Sequence, residues 1–330
     1  MRQGAPGGAR PAPGSGLTTT KAPFIEEARS SRLVFIHQPY ELYSSQNHTT
    51  WGRLLEEMEG RWRRYASAPF LAGVERLQFS PLRIPRLEDV NGFLEPLTGF
   101  RAHAVSGYLP SYLFFDCLRR RELPTTVTIR DAAALDYLPE PDIFHDLAGH
   151  VPMHTDAAFA RALVRLGDCA AAAARRAAAI ASEGERLRRL TSNIRALARF
   201  FWFSIEFGLV SEIGGLKAYG SGLLSSPGEI EHAIEAPDVQ RFPFQLEWVV
   251  NQTFEIDRYQ PILFAIESFD HLYQMVRELE EWLHFGRLDN VAAGEPTVRE
   301  EDLRSFLVLS PFPLGEGQGE GRQGEAPYAK

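Results

Sequence analysis

The stretch from Phe200 to Val210 constrains this chain more than any other, because Ser204 and Glu206 are its only polar residues. Read as a helix, it has no wet face and is expected to be buried all round. Glu206 then needs a partner. An ionised carboxylate in such surroundings is paired, bound to a metal, or else takes up a proton.

A second stretch, Glu140 to Pro152, carries His145 and His150 five positions apart. It reads as a short helix with Pro141 at its first position and Asp142 in its first turn. At about 100° per residue, a five-residue step leaves two side chains roughly 140° apart, whereas histidines at i and i+4 share a face. The helix is therefore expected to break at His150. Gly149 would permit a left-handed or distorted turn there, and Pro152 would bias Val151 away from helical angles. Alone, the pair reads as two hydrogen-bonded histidines. Joined by Glu206, it makes the 2-His-1-carboxylate ligand set of ferrous oxygenases, which leaves coordination positions open. A zinc site of two histidines and one glutamate is the other reading of the same residues.

Composition narrows the class. With 330 residues, 44% of them hydrophobic and 24% charged, the chain can bury one large core or two modest ones. A formal net charge of −8 without a basic stripe argues against a nucleic acid or an anionic membrane as partner. The two cysteines, Cys117 and Cys169, build no disulfide framework and suit a reducing cytoplasm, with Cys117 expected as a small buried hydrophobe. Residues 1–23 lack the apolar run of a signal peptide or anchor and read as a disordered tail. Residues 311–330, rich in Gly and Glu, read likewise. One catalytic domain is expected over 24–310.

Within it the periodicity is mostly helical. Asn47 is placed as the cap of a helix with Trp51, Leu54, Leu55, Met58 and Trp62 on one face. Leu272, Met275, Val276, Leu279 and Leu283 repeat the pattern before Gly286. Alternation in Thr126–Arg130 and Thr253–Arg258 reads as short strands. The fold class is thus α+β, predominantly α-helical, with small β elements.

At these residues the chain resembles the pterin-dependent aromatic amino acid hydroxylases, and among them the bacterial members that consist of a catalytic domain alone. The matching stretches run in order: Gln38-Pro39-Tyr40, Leu97 to Phe100, Val105-Ser106-Gly107, Leu135 to Leu138, Glu140 to Pro152, Trp202 to Leu209, and Lys217 to Ser226. The resemblance implies Fe(II) on His145, His150 and Glu206, with O2 and a tetrahydropterin as co-substrates. It implies a pterin site at Val105, Gly107, Tyr108, Leu109, Phe114 and Asp146, with Phe114 stacking on the heterocycle. For the amino acid it implies Arg130 on the α-carboxylate, with Leu138, Pro141, Trp202, Phe207 and Ser225 forming the rest of the pocket. Phenylalanine to tyrosine is the leading reaction. Hydroxylation of tryptophan, or of phenylalanine at another ring carbon, is the near alternative, and a zinc hydrolase or a non-catalytic metal- or pterin-binding protein is the distant one.

The chain departs from the family's pattern in several places. Phe201 stands where animal members have a tyrosine, Ala148 replaces a bulkier apolar residue, and Val127-Thr128 replaces a tryptophan pair. Residues 168–186 form an Ala-rich insertion, a strong helix former. It is expected to be a dispensable surface helix whose Arg175, Arg176, Glu183 and Glu185 make a solvated face; a cover over the site or a contact between subunits are the other readings. Animal members also carry a regulatory domain and a tetramerisation helix for which this chain has no room, so a monomer is expected.

Overall fold

The structure, a computed structural model, describes residues 17–18, 22, 25–27, 34–107, 109–136 and 140–298. Tyr108, Leu138 and most of the two expected tails lie outside these residues. Within the first tail, Leu17 does not follow the expectation of disorder. It is buried, its N–H donates to Asn47 Oδ1 and its carbonyl accepts from the Ile129 N–H.

Helix α1 (Ser45–Tyr65) starts one turn earlier than Asn47 suggested. Ser44 is the cap, and Asn47 returns its own side chain to the Ser44 N–H, closing a reciprocal capping box. Its Trp51, Leu54, Met58 and Trp62 are buried as the periodicity predicts. Then follow α2 (Ala68–Leu77), α3 (Leu87–Thr98), β1 (Arg101–Val105), α4 (Ser111–Arg119) and β2 (Glu122–Thr126). Strands β1 and β2 pair in parallel, with Val105 opposite Thr126. Beyond Thr126 the expected strand stops. Thr128 O and Ile129 N each make one bond, to Ile143 N and Leu17 O, so no ladder continues.

The chain next enters a π-helical turn, π1 (His145–His150), which runs on into α5 (Val151–His154). Two long helices, α6 (Ala157–Ala178) and α7 (Glu183–Phe201), lead to a second wide turn, π2 (Trp202–Glu206). The all-apolar helix expected to Val210 ends here, and Leu209 already belongs to β3 (Leu209–Glu212). Next come β4 (Gly215–Ala218), α8 (Ser221–Leu224), α9 (Pro227–Glu235), β5 (Gln240–Pro243), α10 (Leu246–Val249), β6 (Ile262–Ile266) and α11 (Phe269–His284). The second sheet has the order β4-β3-β6-β5, antiparallel only between β3 and β4. Thr253–Arg258 is an irregular loop, not a strand: Phe254 turns inward onto Trp202 while its neighbours face solvent.

The Ala-rich segment is not a detachable surface helix. Arg175 and Glu183 are exposed, as expected of a solvated face, but Ala170, Ala171, Ala173 and Ala177 are buried. Small side chains let α6 close on α4, and a Cβ at Gly167 would stand 2.5 Å from Phe115 O and 2.4 Å from Arg119 N. Arg176 turns inward to the Leu283 carbonyl and Asp289. Deleting Ala170 to Glu183 would therefore remove part of the core. Cys117 and Cys169 are both buried free thiols, each pushed up to about 12 chiefly by burial.

Candidate metal centre and its surroundings

The five-residue spacing of His145 and His150 finds its explanation in π1. A π-helical turn closes hydrogen bonds over five residues, so side chains five apart are brought toward one side without any break. The expectation of a distorted turn at Gly149 is corrected: Gly149 lies inside π1 and is absent from the positive-φ residues. Its missing side chain serves contact instead. A Cβ there would lie 2.9 Å from Ser221 O and 3.4 Å from Ser225 Cβ, against α8 and its end. Val151 keeps helical angles, φ −59° and ψ −35°, despite the following proline.

Glu206 closes π2, and between Phe200 and Val210 only Trp202 and Glu206 are partly open. Its Oε1 is 3.1 Å from His150 Nε2 and its Oε2 3.5 Å from His145 Nε2. One ligand atom from each of the three residues lies within 4.8 Å of the others, and this is the single such group among the described residues. Ser221 Oγ donates to Glu206 Oε2 at 2.8 Å and sits 3.0 Å from His150 Nε2. Ser225 Oγ meets His145 Nδ1 at 2.9 Å, leaving Nε2 to face the centre. Such partners of the ligands fix ring orientation and tautomer.

Burial pushes the Glu206 carboxyl up, but the two imidazoles and the hydrogen bonds from His150 and Ser221 outweigh it and hold the group at about 2. Burial lowers His145 to about 4 against the pull of Glu206. At His150 burial disfavours the cation, yet the charge and hydrogen bond of Glu206 raise its pKa. An ionised carboxylate and two imidazoles with inward nitrogens fit a divalent iron ion held on one face. His150 must release its proton to present a lone pair, as metal ligation requires. His154 stays outside the set: its Nδ1 bonds the His150 carbonyl at 2.8 Å, and burial lowers it to about 3.

Of the residues expected at the pterin, Val105, Phe114 and Asp146 connect to this centre through their neighbours. Val105 pairs with Thr126, whose N–H and hydroxyl both donate to Asp146 Oδ2, at 2.6 and 2.7 Å. Asp146 is thus buried rather than a surface acid, and burial raises it to about 7. Gly107 holds φ at +150° and Leu109 is half-buried. Phe114 meets Phe201 edge to face at 5.1 Å, and Phe201 lies 6.4 Å from the His150 ring.

For the amino acid pocket, Trp202 and Phe207 stand 4.6 Å apart. Arg130, far from being an exposed arginine, is buried and forked onto Asp142, Nε to Oδ2 at 2.8 Å and Nη2 to Oδ1 at 2.9 Å. Its Nη1 donates to the carbonyls of Leu135, Asp136 and Ser225. Pro141 is exposed, next to Asp142.

The sequence profile of the biopterin-dependent aromatic amino acid hydroxylases matches residues 36–285. This chain belongs to that family. Phenylalanine-4-hydroxylase of Chromobacterium violaceum is 34% identical over 266 residues, covering 81% of this chain and 84% of that protein. The Caulobacter vibrioides enzyme of the same name is 36% identical over 240 residues, covering 73% and 76%. Among solved structures, Chromobacterium violaceum phenylalanine hydroxylase with iron and phenylalanine bound superposes with a TM-score of 0.66 at 30% identity, covering 80% of this chain and 91% of that one. The same enzyme with iron(III) and 7,8-dihydrobiopterin gives 0.67 at 31%, covering 80% and 90%.

Three residues of this hydroxylase centre escaped the sequence reading. Ser221 lies in the quoted Lys217 to Ser226 run, and its spacing of four from Ser225 on a turn was the available signal. Thr126 and Asp142 are placed by pairings from distant segments, which no local pattern announces.

Proposed function

We propose that this protein is an iron- and tetrahydropterin-dependent monooxygenase that converts L-phenylalanine to L-tyrosine with O2. The observation that carries the reading is the grouping of His145, His150 and Glu206 nitrogen and oxygen atoms within 4.8 Å on two wide helical turns. His145, His150 and Glu206 would hold ferrous iron, which would supply the activation of O2.

The chain's own residues do the remaining work. Ser221 and Ser225 hold Glu206 and His145 in their ligating orientations. To the pterin we assign Val105, Gly107, Leu109, Phe114 and Asp146, with Tyr108, outside the described residues, assigned by the family resemblance alone. To the substrate ring we assign Trp202 and Phe207, whose packed rings would keep water from the reacting face, together with Pro141 and, by the family resemblance alone, Leu138. Arg130, pre-set by Asp142, grips the α-carboxylate with the Nη2 N–H that Asp142 Oδ1 does not occupy, and Ser225 supports this corner through its carbonyl. We also assign the protein to the cytoplasm, a reading supported by its two free buried thiols, and propose that it is a monomer. Among the described residues no helix is long and apolar enough to cross a membrane.

The test is product formation by the iron-loaded protein with each aromatic amino acid. Tyrosine from phenylalanine that requires both O2 and a reduced pterin supports the reading. Turnover of an ester or amide with zinc, indifferent to O2, would replace it by a hydrolase. Light scattering at working concentration tests the monomer.

A further inference from the structure

We propose that Gln260 is a positioning residue for the substrate's ring, acting through Trp202 and so setting which aromatic side chain is accepted. The inference rests on the reading of Trp202 as a wall of the substrate pocket.

Gln260 is buried at the end of a loop whose preceding residues, Glu255 to Arg258, are exposed. Its Oε1 accepts from Trp202 Nε1 at 3.0 Å, while its Nε2 donates to Glu255 O at 2.7 Å and to Arg258 O at 3.2 Å. Carbonyls accept only, so the amide nitrogen must face them and the amide oxygen must face the indole. The backbone is held as firmly. Gln260 N donates to Glu229 Oε1 at 3.1 Å, and Pro261 behind it restricts Gln260 to extended angles. The Pro261 carbonyl then accepts from Gln240 N as β5 begins.

The same loop also touches the indole's face. Phe254 lies 4.2 Å from the Trp202 ring at 14°. Stacking fixes the plane of the indole, and the hydrogen bond fixes its rotation within that plane. A wall held in both senses discriminates by shape, where one methylene more or less in an apolar pocket is worth only about 10–200-fold. Without the bond, the indole can swing and the pocket admits larger rings.

Gln260→Leu, assayed as the iron-loaded enzyme, should raise KM for phenylalanine about tenfold, the worth of one hydrogen bond, with a smaller change in kcat. The ratio of kcat/KM for phenylalanine over tryptophan should fall by a similar factor. Iron content should stay at the unmodified level. In 15N-indole-labelled protein the Trp202 N–H resonance should move. Trp202→Phe removes the same bond from the other side, and adding Gln260→Leu to it should cost little more. If the unmodified enzyme makes no tyrosine, the proposed reaction is at fault. If it does, and both the selectivity ratio and the Trp202 resonance are unchanged in Gln260→Leu, the positioning role is overturned. If Gln260→Leu does not fold, Gln260→Met, which keeps the chain length and loses the amide oxygen, takes its place: an unchanged selectivity ratio and Trp202 resonance overturn the role.

Discussion

Glu206 and Glu229 are both carboxyls set deep in this fold, and they end in opposite states. Glu206 faces two imidazoles and the Ser221 hydroxyl and is held at about 2. Glu229 is buried, accepts one backbone N–H, from Gln260, and has no partner for Oε2; burial drives it up to about 8, with the Asp136 charge adding to the effect. Burial raises both groups, and the number of donors and positive charges around each decides which keeps its proton. The acid we propose as a ligand is the one whose surroundings keep it ionised without help from solvent.

Breaking the ionised side of this comparison should have the largest effect. Glu206→Ala removes the one carboxylate of the proposed ligand set, so stoichiometric iron binding by metal analysis should be lost and turnover should fall by on the order of a thousandfold or more. Folding should suffer less, because the variant also removes a charge that was costly to bury. Retention of one iron per chain with full activity would remove Glu206 from the ligand set.

Ser221→Ala is a gentler break. It leaves all three ligands but deletes the donor to Glu206 Oε2 and the contact to His150 Nε2. Iron affinity, measured by chelator competition, should drop about 10- to 100-fold, the usual cost of losing a group that orients ligands. An unchanged affinity would mean that Ser221 only fills space.

The protonated side predicts a pH effect on stability. Below about pH 4.5 the Glu229 carboxyl is neutral in folded and unfolded chains alike. Between there and about pH 8 only the unfolded chain ionises, so the unfolding free energy should fall as pH rises, by on the order of a few kcal/mol. Above pH 8 both states are ionised and this contribution levels off. Glu229→Gln should flatten the slope in urea unfolding across that window; an identical slope in the variant would show that Glu229 does not hold its proton.

The remaining prediction concerns Arg130. Arg130→Lys keeps the charge but loses the fork onto Asp142 and the third carbonyl contact. KM for phenylalanine should rise roughly ten- to hundredfold from loss of charge-assisted bonds, and the melting temperature should fall as well. Unchanged KM with lowered stability would leave Arg130 as a purely structural partner of Asp142.

How much of this was legible follows from where each signal lies. The buried acid could be read from Phe200 to Val210 because burial of an apolar run is local information. The two histidines were found, but an assumed 100° step per residue gave them a broken helix, whereas a π-helical turn accommodates the spacing intact. Gly149 shows the same limit: its role is contact with Ser221, which lies some seventy residues away in sequence. The Ala-rich segment misled because alanine is a strong helix former with a weak hydrophobic signal. Its small side chains matter through close packing on α4, a property of the pair of helices. Alternation in Thr253–Arg258 reflects one inward residue, Phe254, and not a ladder.

The most direct test of the account is anaerobic loading of the metal-free protein with Fe(II), followed by O2, phenylalanine and a reduced pterin, with the product identified by mass spectrometry. The account predicts one iron per chain and tyrosine carrying one oxygen atom from O2, with none formed when the pterin is withheld or zinc replaces iron. Tyrosine formed without pterin, or full activity with zinc, would contradict it.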